Sequence, residues 1–188
     1  MVTLQRRGNA AGFTLIEVCI AMMILTLAIA GVGHMSIVAL NATQAARVQT
    51  STAILASQKL EQLRALVWTV DVNGQPLSDW STDLAVEPAT AAGAGLRPSP
   101  ANSLDVSAPG YADYLDSRGQ WVGTGPTPPA ATRYIRRWNV RPLPEDAQDT
   151  VILEVLVTTI RRDRLARPPR RRLPDDALVT TMVSRKAH

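Results

Sequence analysis

Cysteine, histidine and aromatic residues are scarce in this 188-residue chain. Its one cysteine, Cys19, excludes an intramolecular disulfide and any cysteine-built metal cluster. Two histidines, His34 and His188, supply little for a metal hydrolase or for imidazole acid–base chemistry. A single Phe, three Tyr and four Trp hold the aromatic share to 4%, so the core has to be built from Val, Leu, Ile and Ala. That suits a small sheet or a long helix and speaks against a large catalytic barrel. Motifs of catalysis are missing too: there is no phosphate-cradling glycine loop, no Gly-x-Ser-x-Gly elbow, no HExxH and no CxxC. We expect no enzyme, no cofactor and no metal site. Asp113 and Asp116 lack the further oxygen ligands that calcium needs. No internal repeat stands out.

Charge is absent where its absence matters most. From Val18 to Ala46, 29 consecutive residues include no Asp, Glu, Lys or Arg. As a helix this run is about 43 Å long, more than the ~30 Å hydrocarbon core of a bilayer requires. Before it lies a polar leader, residues 1–12, whose only charged side chains are Arg6 and Arg7, which favour a cytoplasmic leader and place the rest of the chain on the far side. Arg47, Lys59 and Arg64 follow the span and weaken that asymmetry. Glu17 stands at the mouth of the run, where a carboxylate is costly without a partner. A positive charge from another chain would serve; solvation at headgroup level is the simpler alternative.

Gly12-Phe13-Thr14-Leu15-Ile16-Glu17-Val18, after a short basic leader and before an apolar helix, resembles the processing motif of type IV pilins and of the related pseudopilins of type II secretion. The resemblance implies that prepilin peptidase cuts between Gly12 and Phe13 and methylates the new amine of Phe13. Glu17, then fifth in the cut chain, would pair with the N-terminal amine of a neighbouring subunit. Methylation preserves that amine's charge. The partners implied are other pilins or pseudopilins, prepilin peptidase and the bacterial inner membrane, with the C-terminal domain in the periplasm before entry into the filament. Many major pilins have a helix-breaking proline where this chain has His34, a departure that fits a minor pilin or pseudopilin; Ile16-Glu17-Val18 and the strand-forming tail are most similar to minor pilins of the PilV type, with the minor pseudopilin of the GspI type the close alternative. A rival exists in Ala28-Ile29-Ala30, a small-x-small site for an ordinary signal peptide cut before Gly31. Glu17 argues against it, because a carboxylate weakens a signal's apolar region. Gly31 and Gly33 mark either a softer stretch of helix or close packing in the bilayer.

Beyond the span, Val48, Thr52, Leu55, Ala56, Leu60, Leu63 and Val67 recur at spacings of three and four and predict a helical stripe for packing on a sheet. Lys59, Glu61, Gln62 and Arg64 are expected to flank it. Residues 71–131 hold eight of the 13 prolines and seven of the 11 glycines and read mostly as loop, with Ala89 to Pro100 a flexible insertion. Within it, Tyr114-Leu115 and Trp121-Val122 predict a short hairpin with Gly119 in the turn. Three strand-like runs follow: Thr132 to Arg141 with Tyr134, Trp138 and Val140 on one face, Thr150 to Arg162 with Val151, Leu153, Val155 and Val157 on one face, and Leu178 to Arg185. An antiparallel meander packed on the helix is expected, an α+β fold.

The expected divisions are a leader (1–12), a membrane and assembly helix (13–46), its amphipathic continuation (47–70), a Pro/Gly-rich region (71–131) and an antiparallel sheet (132–188). Between the last two strands, Arg161, Arg162, Arg164, Arg167, Arg170, Arg171 and Arg172 with Asp163 put a net +6 into twelve residues. The stretch reads as a solvated or internally paired loop, or as an anion-binding loop for DNA, lipopolysaccharide or an acidic partner. A membrane-anchored or secreted binding domain built around that loop is the alternative of another functional class.

Overall fold

The structure, a computed structural model, describes residues 14–165 and 175–185. The chain divides into two units, Met1–Gln44 and Ala45–His188, and helix α1 (Leu15–Arg64, 50 residues) contributes to both.

In the first unit the helix is apolar around its whole circumference, with Leu15, Met35 and Leu27 each more than half exposed. It is long and apolar enough to cross a membrane. The hydroxyls in this run turn back on their own helix: Thr26 donates to the Met22 carbonyl at 2.7 Å, Ser36 to Val32 at 2.9 Å and Thr43 to Ala39 at 2.9 Å. A polar side chain satisfied in this way leaves no donor open toward an apolar surrounding. The helix runs unbroken through Gly31, Gly33 and His34.

In the second unit the remainder of α1 lays Thr52, Leu55, Ala56, Lys59, Leu60 and Leu63 against a five-stranded antiparallel sheet. Its strands are β3 (Ala112–Leu115), β4 (Trp121–Gly123), β5 (Tyr134–Leu143), β6 (Asp146–Thr159) and β7 (Ala177–Ser184), in the spatial order β4-β3-β5-β6-β7. The α+β arrangement is the one expected. Tyr134, Trp138 and Val140 of β5 and Val151, Leu153, Val155 and Val157 of β6 meet the helix stripe in one core, as their alternation predicts. Fully burying each such side chain contributes about 1.5–3 kcal/mol. Two expectations shift along the stripe. Val48 is only half-buried, and Val67 is 46% exposed because the helix stops at Arg64 and Leu66 with Trp68 takes the inward place. The expected strand from Thr150 also ends sooner: β6 gives way at Ile160 to the short helix α2 (Ile160–Leu165).

The Pro/Gly-rich region is more organised than its composition suggests. β3 and β4 form the expected hairpin, with Leu115 opposite Trp121 and Gly119 at φ 79° in the turn. β5, β6 and β7 form the expected antiparallel meander, and β3 pairs with β5 to add the hairpin at its edge. The hairpin β1 (Trp68–Val70) and β2 (Pro76–Ser78) is closed by the same turn chemistry. Asp71-Val72-Asn73-Gly74-Gln75 and Asp116-Ser117-Arg118-Gly119-Gln120 both place Asp at the start, Gly in the left-handed region and Gln at the end. In each, the Asp carboxylate accepts two turn amides, from Asn73 and Gln75 or from Arg118 and Gln120, at 2.7–2.9 Å. This repeated five-residue turn escaped the reading of the sequence because the strands around it are unrelated.

Ala89 to Pro100 is likewise not a flexible insertion. Gly93 donates to the Ser81 carbonyl at 2.7 Å, Gly95 to Thr82 at 2.8 Å, and Leu96 to Asp79 at 2.8 Å while its side chain enters the core. A Cβ on Gly93 or Gly95 would collide with the backbone of Asp83 or Asp79, so glycine here permits two backbones to dock. On the outer face of β5 and β6, Ile135, Arg137 and Leu156 are buried as well, with Arg137 donating to the Ser107 hydroxyl at 3.1 Å and to Asp163 of α2 at 2.7 Å. The β1–β2 hairpin is tied to the end of β7 by Arg185. Its guanidinium stacks 3.7 Å from the Trp68 ring and donates to the Thr69 and Leu77 carbonyls at 2.8 and 2.9 Å.

Candidate functional site

At the start of α1, Thr14 precedes the first helical residue and its hydroxyl accepts the Glu17 amide at 3.4 Å. Thr-x-x-Glu is the spacing of a capping box, and a carboxylate in the first turn is favoured by the helix dipole and the unpaired amides. Glu17 thus has a local reason to sit where it does. It is exposed, and its carboxylate retains acceptor capacity for a further donor. Gly12 and Phe13, the expected cleavage pair, lie outside the described residues.

Of the Arg-rich stretch, Arg161 is exposed on α2. Arg162 and Arg164 are described in backbone only, and Arg167, Arg170, Arg171 and Arg172 lie outside the described residues. Asp163, the stretch's single acid, faces the sheet: its Oδ1 takes Nη2 of the buried Arg137 at 2.7 Å.

The most organised polar cluster was not anticipated. Lys59, expected on the polar flank of the helix, is 2% exposed inside the core. Its ammonium lies 2.9 Å from Oδ2 of Asp113, donates to the Leu84 carbonyl at 2.6 Å, and sits 4.7 Å above the Trp138 ring. Asp113 also takes a two-pronged bond from Arg136, Nε to Oδ1 at 2.8 Å and Nη2 to Oδ2 at 2.7 Å. Burial draws the Lys59 ammonium below the usual lysine range; the Asp113 charge opposes that and Arg136 reinforces it. The cluster joins α1 to β3 and β5, and with its acceptors occupied it is a fastening rather than a reactive centre. A signal for it was present. Lys59 keeps the four-residue step from Leu55 to Leu63, and Arg136 sits between Tyr134 and Trp138 on the inward face of β5. Two cations in apolar stripes call for a buried anion.

Beside this cluster a groove of about 770 Å³ runs along α1, lined by Ile54, Gln58 and Glu61 on the helix and by Glu87, Gln120 and Trp121 opposite. Trp121 is held by its indole N–H, which donates to the Ala85 carbonyl at 2.9 Å.

Comparison with protein families matches residues 7–33 to the prokaryotic N-terminal methylation motif. No curated protein and no solved structure matches the chain. The motif supports a type IV pilin-like substrate of prepilin peptidase, and with the apolar helix it fits anchoring in the inner membrane. It points to a structural subunit rather than an enzyme.

Proposed function

We propose that this chain is a minor pilin, a low-abundance structural subunit for assembly or modification of a type IV pilus. Prepilin peptidase cuts it between Gly12 and Phe13 and methylates the Phe13 amine. Before assembly the helix from Phe13 to Ala46 holds it in the inner membrane, with the unit from Ala45 onward in the periplasm. On incorporation Glu17 pairs with the N-terminal amine of a neighbouring subunit and sets the register of the helices. The observation that carries this reading is the methylation motif at residues 7–33. It is supported by the uncharged run from Val18 to Ala46 and by a helix whose second part packs on an antiparallel sheet. The absence of proline from that run favours a minor over a major subunit.

The test is the intact mass and N-terminal peptide of the protein recovered from its native membrane. A chain beginning with methylated Phe13 is expected. A start at Gly31 would make it an ordinary secreted protein, and an uncut chain a plain membrane anchor.

A further inference from the structure

One end of the β unit gathers arginines from connections far apart in sequence. Arg118 lies in the β3–β4 turn, Arg133 just before β5 and Arg161 just after β6, and all three are exposed. The backbone brings them to one edge: the Arg133 amide donates to the Leu115 carbonyl at 2.7 Å, and the Ile160 amide to the Arg133 carbonyl at 2.9 Å. The same edge meets α1 at its entry to the unit. Gly119 packs against Leu55, and the Thr52 hydroxyl donates to the Asp175 carbonyl at 3.2 Å. Six residues before Thr52, about 9 Å along the helix, is Ala46, the last of the uncharged run, and exposed Arg47 follows it.

The carboxylates at this edge are spoken for. Asp116 accepts its own turn amides at 2.7 and 2.9 Å, Asp163 takes Arg137 at 2.7 Å, and neither Asp175 nor Asp176 is free. Among the described residues, the guanidiniums of Arg47, Arg118, Arg133 and Arg161 have no ion pair. A span of about 43 Å matches a bilayer including its headgroup layers, roughly 40–45 Å, so Arg47 falls at the headgroup level where the helix leaves.

We infer that Arg47, Arg118, Arg133 and Arg161 form a basic rim that docks the β unit onto the anionic lipid headgroups of the membrane its own helix spans. The inference rests on the membrane-spanning reading of residues 18–46. Clustered guanidiniums and phosphates attract one another within a Debye length of the surface, and each exposed arginine adds to that attraction without needing a pocket. The rim holds the unit on the bilayer before assembly, and withdrawal of the helix from the lipid would separate the two.

The full chain with Cys19→Ser and a fluorophore on Ser117→Cys is reconstituted into vesicles of phosphatidylcholine alone or with phosphatidylglycerol, each with a headgroup-linked quencher. Flotation in the neutral vesicles checks the premise separately: a chain that fails to float refutes the span, and the rim falls with it. Where the chain floats in both, quenching should be several-fold stronger with phosphatidylglycerol and should fade in 1 M salt. Arg47→Gln, Arg118→Gln, Arg133→Gln and Arg161→Gln together should abolish the difference, each lowering the docked-to-undocked ratio roughly fivefold. Equal quenching in the two vesicles overturns the inference. So does a full difference surviving in the quadruple variant, which would assign the attraction to the Arg162 to Arg172 stretch instead. Release by millimolar inorganic phosphate at constant ionic strength would also overturn it, by showing a site for free anions.

Discussion

Lys59 and Asp113 meet at 2.9 Å with side chains 2% and 0% exposed, the helix contributing the cation and β3 the anion. With Arg136 completing the cluster, two cations share one carboxylate, so the three members are not equivalent. Asp113→Asn leaves both cations buried without a counter-charge and should cost about 3–5 kcal/mol. Lys59→Met leaves the Asp113–Arg136 pair neutral and removes a desolvated ammonium, and should change stability by no more than about 1 kcal/mol. Denaturant unfolding of the full chain in detergent measures both; equal losses would show that Lys59 supplies net stabilisation.

The two five-residue turns allow a matched comparison. Gly74→Ala places a side chain at φ 76° with nothing within 4 Å and should cost about 1–2 kcal/mol in backbone strain alone. Gly119→Ala at φ 79° adds a Cβ 2.9 Å from Cδ2 of Leu55 and should cost about 1–3 kcal/mol more. The excess, read from midpoints of unfolding, measures how tightly the β3–β4 turn is pressed on the helix.

Acid should loosen the loop after β2 through Asp79. Its carboxyl is held below 3.8, first by the Thr82 hydroxyl at 2.6 Å and then by the amides of Ser81 and Thr82. A carboxylate with a lowered native pKa adds stability that is present in full above its unfolded value and is lost as pH falls through its folded value. The decline therefore lies below pH 3.8. Asp79→Asn should flatten that part of the acid unfolding curve while lowering stability at neutral pH. An unchanged acid limb would mean that the turn does not titrate with folding.

Glu17→Ala separates processing from assembly. Cleavage and methylation should proceed, because the bond cut and the amine methylated both lie N-terminal to Glu17, whereas incorporation into purified filaments should fail. Mass spectrometry of the N-terminal peptide, together with the filament fraction, reports the two. Normal incorporation would leave Glu17 with only its capping role beside Thr14.

Packing surfaces were legible in the chain because periodicity records them directly. Leu55, Leu60 and Leu63 and the alternating residues of β5 and β6 occupy the positions their spacing predicts. Lys59, Asp113 and Arg136 were not legible, since a charged side chain says nothing about which distant charge will face it. Leu96 was obscured by the small and turn-forming residues around it. In Gly93 and Gly95 the small size serves close backbone docking rather than flexibility.

The sequence alone determined the uncharged run from Val18 to Ala46, the methylation motif at residues 7–33 and the helix-and-sheet composition of the remainder. Those properties depend on residues next to one another or one helical turn apart. Only the tertiary structure decided which cations share Asp113, that Asp163 turns inward to Arg137, and that Arg118, Arg133 and Arg161 line one edge. Each of those depends on strand order and register. Backbone pairing sets them across tens of residues, beyond the reach of any local pattern.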